Sequence, residues 1–330
     1  MFDYSIVIRT LGNTGEKYHR MLQAISRQTV PPKEIIVVIP EGYPLDHTLG
    51  TERVIRSEKG MVTQRAVGIA EAKSDYLLVL DDDLNFPPDF AEKLYLTLQE
   101  EQLDCVLAFG GWHSQKKTIE SSNESQKKKR SFKQKIKRIR SAFTGQFFTS
   151  HRHSEFFDTI VSTGGHRTYV NNEEGLCQTG AFACFFIKTE KAKAVRFDEE
   201  RWLEQGTISH YAAYDDAVFY YKLYLQGGRI KYTHHTDFQH LDAAAGRPAP
   251  DPLTAKRIRL YTIAKNRTIF WHRHIWGHRR SLHNLLGGWY GIINYAVYNI
   301  VTNALPKNWP ALSAMFCGYK EALLFIKKRT

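Results

Sequence analysis

The stretch SDYLLVLDDDLNFPPDF, residues 74–90, places five apolar or aromatic residues directly before three carboxylates. The run 76–80 has the length and composition of a buried strand. Asp81, Asp82 and Asp83 repel one another unless a cation or hydrogen-bond donors compensate their charge. This acidic strand end predicts either a divalent-cation site or a turn whose carboxylates cap the next helix.

Strands and helices alternate around this stretch. Apolar runs predict strands at 4–10, 31–40, 53–57 and 104–111, and helical periodicity predicts helices at 16–28, at 60–74 and from about Pro88. This alternation predicts an α/β fold with a mostly parallel, doubly wound sheet flanked by helices. Ligands of such sheets bind beyond the carboxyl ends of the strands, where Thr10 and the acidic triplet lie.

The rest of the chain predicts fewer strands and more helix. Strand character returns at 176–190 and 229–240, a helix is expected at 214–228, and helices are expected near 253–275, 282–304 and 309–327. We therefore expect one α/β domain over residues 1–250, with a basic insertion at about 112–150. A helical, basic and aromatic region follows over residues 251–330.

The charge of the chain predicts a polyanionic partner. The 46 Lys and Arg residues exceed the 34 Asp and Glu residues, which gives a formal net charge of +12. Residues 127–140 hold nine basic residues and no acidic one, and residues 131–143 have the spacing of a basic amphipathic helix. Two interpretations of that helix stay open: it lies on an anionic membrane, or it covers the domain surface.

The uncharged segment 285–305 is about long enough to cross a bilayer. Its three asparagines favour a helix that is buried in the protein or lies in the membrane interface, because polar side chains are costly at the membrane centre. The four cysteines lack metal-binding or secretory spacing, and the first residues resemble a strand rather than a leader. These patterns predict a cytoplasmic protein, peripheral on the inner face of the cell membrane.

The N-terminal half of the chain resembles a family-2 glycosyltransferase of the GT-A fold. The resemblance is carried by SIVIRT (5–10), by AISRQTVPPKEIIVV (24–38) and above all by GMVTQRAVGIAEAKSDYLLVLDDDLNFPPDF (60–90). It implies an inverting transferase that uses Mn²⁺ or Mg²⁺ and a nucleotide-diphosphate sugar. Asp81 and Asp83 would hold the metal, and Asp82 would contact the ribose or sugar.

The resemblance also assigns further residues in the nucleotide site. Arg65 would lie near the nucleotide and Thr10 near the base or ribose. The family commonly has an aspartate after the second strand, whereas this chain has Ile39 and Pro40, so Glu41 is the nearest acid for reading the base.

A looser resemblance extends to about residue 275. It maps the catalytic base onto Asp216, with Asp215 beside it, and gives His240 the role of completing the metal or diphosphate site. Each residue also has a simpler explanation. The two aspartates suit the first turn of a helix, Arg65 could pair with Glu71 or another surface acid, and His240 could be structural.

These residues together predict a glycosyltransferase that acts on a polysaccharide or lipid-linked glycan acceptor in cell-surface glycan synthesis. The basic and aromatic C-terminal region predicts peripheral contact with an anionic membrane. The alternatives are a sugar-phosphate nucleotidyltransferase of related fold and a basic nucleic-acid-binding protein. The chain shows no recognisable RNA-binding or zinc motif, so we expect no nucleic acid among its partners.

Overall fold

The computed structural model describes residues 2–110, 156–169, 175–241, 251–304 and 306–328. The predicted basic insertion at 112–150, including the predicted helix at 131–143, lies outside these residues. The chain divides into two compact units. Unit 1 comprises Met1–His113, Leu176–Glu204 and Asp215–Ala249, and unit 2 comprises Ser114–Gly175, Gln205–Tyr214 and Pro250–Thr330. The predicted domain boundary at residue 250 stays a prediction.

The described strands and helices include the predicted ones in their predicted order, together with short strands and a short helix that were not predicted. The strands are β1 Tyr4–Arg9, β2 Glu34–Pro40, β3 Arg53–Ser57, β4 Tyr76–Asp81, β5 Leu84–Asn85, β6 Cys105–Gly110, β7 Phe157–Val161, β8 Arg167–Tyr169, β9 Leu176–Cys177, β10 Cys184–Lys188 and β11 Ile230–His240. The α-helices are α1 Glu16–Ser26, α2 Met61–Glu71, α3 Phe90–Glu100, α4 Thr189–Ala194, α5 Asp215–Leu225, α6 Pro252–Phe270, α7 Leu282–Asn303 and α8 Trp309–Lys327.

Unit 1 is built on an eight-stranded sheet with the order β3-β2-β1-β4-β10-β6-β11-β5. The pairs β1–β2, β1–β4, β2–β3 and β6–β11 are parallel. β10 runs antiparallel to both of its neighbours, β4 and β6. The predicted α/β fold with a mostly parallel sheet is confirmed.

The predicted strand at 176–190 was too long, because regular structure within it is confined to short β9 and to β10. Apolar composition alone does not distinguish a buried loop from a buried strand. Ala181 in this loop shares two hydrogen bonds with tyrosines of unit 1, since its amide donates to Tyr232 and its carbonyl accepts from Tyr220. Side chains thus satisfy backbone groups that a longer strand would have paired.

The core of unit 1 explains why the early strands were predictable. Ile6, Val7 and Ile8 of β1 are fully buried, as are Leu77 and Leu78 of β4. Strands covered by helices on both faces are apolar at successive positions rather than at alternate ones. The same burial brings the carboxyl ends of β1 and β4 side by side, with Arg9 opposite Asp81 in the register.

Unit 2 is mainly helical over its described residues, as predicted for the C-terminal region. Helices α6 and α8 pack through an apolar cluster that includes Leu260, Ala264, Leu312 and Met315. α6 begins at a cap in which Asp251 accepts hydrogen bonds from the amides of Leu253 and Thr254, and it continues into a π-helical turn at Trp271–Trp276. Within the described residues, no helix has both the length and the hydropathy needed to cross a membrane.

Candidate active site

Each carboxylate of the acidic triplet has a different partner. Asp81 accepts hydrogen bonds from Arg9 at 2.9 Å and from Arg65 at 2.8 Å, both on Oδ1. Asp82 accepts a bond of 2.6 Å from the hydroxyl of Thr10. The side chain of Asp83 is buried, and its Oδ2 lies 3.5 Å from Nδ1 of His240.

Arg65 joins the two acidic segments of the sequence. It is only 2% exposed, and besides Asp81 it donates to Asp215 at 2.6 Å. Its guanidinium also lies 4.4 Å from the ring centre of Phe182, which is a cation–π distance. The alternative in which Arg65 pairs with Glu71 is wrong, since Glu71 pairs with Arg53. Two segments about 130 residues apart therefore meet at one buried cation.

Burial and neighbouring charges separate the pKa values of these aspartates. Burial alone would raise the pKa of Asp81, but Arg9 and Arg65 outweigh it and hold that pKa below its usual range. Burial raises the pKa of Asp82, and the charges of Asp81 and Asp83 add to the effect. Burial, assisted by the charge of Asp216, raises the pKa of Asp215 to about 6 although Arg65 opposes the shift.

Helix α2 presents Arg65 because its first turn is anchored from a distant segment. The buried carboxylate of Glu204 accepts hydrogen bonds from the amides of Val62, at 2.8 Å, and Thr63, at 3.2 Å. An anion at this position satisfies free amides and interacts favourably with the helix dipole. Gly60 precedes the helix, and a Cβ atom there would overlap the Glu204 carboxylate.

A second anchor fixes α2 against the sheet. The side-chain amide of Gln64 donates to the carbonyls of Thr10, at 2.8 Å, and Val38, at 2.9 Å. These carbonyls lie at the carboxyl ends of β1 and β2. Gln64 and Glu204 together fix the position of α2. The fixed helix holds Arg65 at the same edge of the sheet as the acidic triplet.

The acidic pair opens helix α5. Asp215 is buried, whereas Asp216 is half-buried and accepts a hydrogen bond of 2.7 Å from the amide of Ala217. The preceding residue, Tyr214, has a φ of 76°, a conformation that costs free energy for a residue with a side chain. The sharp turn at Tyr214 lets the helix begin directly at the two carboxylates.

A cleft of about 180 Å³ lies over the triplet. Its lining residues are Arg9, Leu11, Asn13, Asp81, Asp82, Asp83 and His240. His240 reaches the cleft because the end of β11 pairs antiparallel with β5, which places His240 opposite Leu84. Thr10 is buried beneath the cleft, where its hydroxyl also accepts from the amide of Gly12. Glu41 is exposed after β2 and is not a lining residue.

The charges of this region suit a divalent cation. We define the acidic cluster as Asp81, Asp82, Asp83, Asp215 and Asp216. Two cations, Arg9 and Arg65, are in direct contact with this cluster. Carboxylates thus outnumber the arginines that contact them, and Mg²⁺ typically uses one or two carboxylates together with substrate phosphates. Over the described residues, no group of three or more His, Cys, Asp or Glu side chains is arranged so that it could hold a metal ion. The metal therefore stays a prediction.

Two contributors to the site escaped prediction from sequence. Arg9 was treated as part of the first strand, although an arginine at the carboxyl end of an otherwise apolar strand signals a nearby anion. Glu204 lies 142 residues from Val62, which it caps, and no local pattern marks it. The helix start that Glu204 caps was detectable in principle. Gly60 directly precedes α2 and has no side chain that could cap this helix.

Residues 51–161 match the family model described as Glycosyl transferase family 2. The chain is thus similar to this family over about a third of its length. The matching segment includes α2, β4 and the acidic triplet, and it ends before the acidic pair of α5. The predicted resemblance to family 2, and with it the prediction of a glycosyltransferase, is confirmed. The match favours glycosyl transfer over the nucleotidyltransferase and nucleic-acid-binding alternatives.

Solved glycosyltransferase structures align with the chain at low similarity. S. aureus TarS 1-349 aligns at 12% identity and a TM-score of 0.42, covering 99% of this chain and 92% of its own. The mannosyltransferase PcManGT from Pyrobaculum calidifontis, in complex with GDP-Man and Mn²⁺, aligns at 11% identity and a TM-score of 0.46, covering 98% and 89%.

GalNAc-T7 with UDP, GalNAc and Mn²⁺ aligns at 13% identity and a TM-score of 0.47, covering 92% of this chain and 58% of its own. A comparison with curated proteins finds no match. At these identities and TM-scores, the functional interpretation rests on the family match and on the geometry of the site itself.

Proposed function

We propose that this protein is a metal-dependent, inverting glycosyltransferase that uses a nucleotide-diphosphate sugar as donor. Its acceptor would be a polysaccharide or a lipid-linked glycan in cell-surface glycan synthesis. The observation that carries the proposal is the bridge from Asp81 through Arg65 to Asp215. It brings an acidic strand end and an acidic helix start together, which suits a donor site beside a proton acceptor.

The donor would bind in the cleft over the triplet. Asp83 and His240 face each other there, and Asp81 has Oδ2 in addition to the oxygen that both arginines use. These three residues would hold Mn²⁺ or Mg²⁺, which when bound neutralises charge on the departing diphosphate. Arg9 lines the same cleft and adds a fixed positive charge near that leaving group.

The assignments of Asp82, Thr10 and Glu41 to the nucleotide site stay predictions. Asp82 lines the cleft, so it can reach a ribose or sugar hydroxyl. Thr10 would act by orienting Asp82 rather than by touching the base, since its hydroxyl already donates to that carboxylate. Glu41 lies on the surface after β2, where a base-reading role requires the nucleotide to extend beyond the cleft.

Asp216 would act as the general base. It is half-buried and therefore more accessible to an acceptor than Asp215, which is buried against Arg65. The Asp216 carboxylate would take the proton of the acceptor hydroxyl as its oxygen bonds to the anomeric carbon. The bond from that carbon to the diphosphate breaks on the opposite side, so the configuration inverts.

Asp215 and Arg65 would position this chemistry. The bridge fixes the start of α5 relative to the triplet through two charge-assisted hydrogen bonds. Positioning of this kind matters because the acceptor oxygen, the anomeric carbon and the leaving oxygen must lie nearly in line. The role of Asp215 is therefore to keep the distance between base and donor constant.

The proposed setting is the inner face of the cell membrane, reached from the cytoplasm without nucleic acid as a partner. Residues 252–320 contain ten Lys or Arg residues and no Asp or Glu. Lys265 and Arg267 are buried, and the other basic residues of this segment are attracted to anionic headgroups. A lipid-linked acceptor would be presented at this interface.

The decisive experiment is a panel of nucleotide sugars with Mn²⁺ or Mg²⁺, followed by NMR for donor turnover, on wild type and Asp216→Asn. We expect Asp216→Asn to abolish turnover and to leave donor affinity within a few-fold, because the base acts on the acceptor. Asp198→Asn, which changes an exposed aspartate, is the matched control. Loss of donor affinity together with turnover would assign Asp216 a structural role and contradict the proposal.

The metal is tested by Asp83→Ala. We expect this variant to weaken donor binding in calorimetry with Mn²⁺ present and to change it little when EDTA replaces the metal. The reason is that a lost ligand weakens binding only through the ion it held. An equal loss in both conditions would show that Asp83 does not bind metal.

A further inference from the structure

Helix α7 places its apolar side chains outward. Leu282, Leu286, Trp289, Ile293, Val297 and Ile300 recur every three or four residues, and each is between 38% and 69% exposed. At 100° per residue these positions fall on one narrow face. We call these six residues the outer stripe. Its length is about 27 Å, from the 1.5 Å rise per helical residue.

The opposite face of α7 is buried within unit 2 and contains three glycines and two asparagines, Gly287, Gly288, Gly291, Asn299 and Asn303. Gly288 lies against Trp271, and a Cβ there would overlap the indole ring. The carbonyl of Gly291 accepts a hydrogen bond of 2.8 Å from the buried side chain of Arg267. Tight contact on this face fixes the rotation of α7, so the outer stripe cannot turn inward.

The ends of the stripe carry positive charge. Arg279 and Arg280 are exposed just before α7, and Lys307 is exposed shortly after it. No Asp, Glu, Lys or Arg lies within α7 itself. Helices that lie in a membrane interface combine an apolar face with Lys or Arg residues that attract anionic headgroups. The outer stripe supplies the apolar face, and Arg279, Arg280 and Lys307 supply the basic residues.

We infer that the outer stripe of α7 is a membrane-docking surface that inserts into the interface of an anionic bilayer. Trp289 suits such a position because its ring combines an apolar body with a polar N–H group. The inference rests on the proposed membrane contact and deepens it by naming the surface.

Charge decides between a bilayer and a second copy of the chain as the occupant. Two copies that met through their outer stripes would bring like-charged ends into the same interface, which opposes association. Anionic headgroups instead complement the basic ends, and the formal charge of +12 strengthens the attraction. The chemistry of the stripe and of its ends therefore favours lipid.

The test is flotation of the full chain with vesicles of phosphatidylcholine alone and of equal amounts of phosphatidylcholine and phosphatidylglycerol. Wild type should bind the anionic vesicles, and added salt should weaken this binding. The variant Leu286→Gln/Ile293→Gln should bind at least about tenfold more weakly, because two apolar side chains lose their burial. Leu96→Gln, at an exposed leucine of α3, should bind like wild type.

Donor turnover without vesicles is measured on the same proteins. We expect the α7 variant to retain it, so loss of membrane binding and failure of the proposed catalysis remain distinguishable. Equal vesicle binding by the α7 variant and wild type would overturn the inference. Vesicle binding that is lost only when residues 113–140 are deleted would also overturn it. A third contrary result would be a wild-type dimer in sedimentation, a monomeric α7 variant and unchanged vesicle binding.

Discussion

The bridge through Arg65 makes a quantitative prediction about stability. Arg65→Met removes a guanidinium that is 2% exposed and leaves Asp81 and Asp215 without one of their donors. Removing one partner of a buried ion pair costs about 3–5 kcal/mol. Arg53→Met is a matched control within unit 1, since Arg53 also joins two carboxylates, Glu34 and Glu71, but is 37% exposed. Exposed pairs contribute about 0–1 kcal/mol.

The assay is urea unfolding at neutral pH of wild type, Arg65→Met, Asp215→Asn and the double variant. Each single change removes one partner of the Arg65–Asp215 contact and leaves the other partner buried, whereas the double variant removes both partners. The double variant should therefore be more stable than the sum of the two losses predicts, by at least about 1 kcal/mol. Arg65→Lys should fall between wild type and Arg65→Met, because one ammonium group cannot reproduce the two-sided donation of a guanidinium.

Two results would refute this reasoning. Additivity of the two single variants within about 0.5 kcal/mol would mean that Arg65 and Asp215 do not interact in solution. Equal losses for Arg65→Met and Arg53→Met would mean that burial does not strengthen the contact.

The remaining predictions concern the anchor of α2 and the acidic pair. Gly60→Ala should lower the thermal unfolding temperature, because its Cβ displaces the Glu204 carboxylate and leaves helix amides unpaired at about 1–3 kcal/mol; an unchanged midpoint would contradict this. The value of kcat/KM should rise with pH through about 6, because Asp215 must lose its proton to pair with Arg65. Asp215→Asn should remove this acidic limb, and a limb that persists would assign it to another group. The raised pKa of Asp215 also determines how its contribution to folding stability depends on pH. Between about pH 4 and 6, the folded chain keeps a proton on Asp215 that the unfolded chain has released. The contribution of Asp215 to stability therefore falls as pH rises.

Local pattern was sufficient for most elements of unit 1. β1, β2 and β4 lie within a few residues of their predicted positions because each is a buried strand, and burial on both faces produces a continuous apolar run. The turn chemistry was equally local. The acidic start of α5 was predicted from the preference of carboxylates for the first turn of a helix.

The sequence by itself determined the α/β class, the order of its elements and the presence of an acidic strand end that needs positive partners, because these follow from residue periodicity and from charge repulsion between neighbours. Only the tertiary structure decided which partners those are. Arg65 lies 150 residues from Asp215, and Glu204 lies 142 from Val62, so no period of a helix or strand relates them. These residues meet because the folded sheet brings the ends of several strands to one edge. The antiparallel direction of β10 and the position of His240 beside Asp83 also depend on the folded sheet.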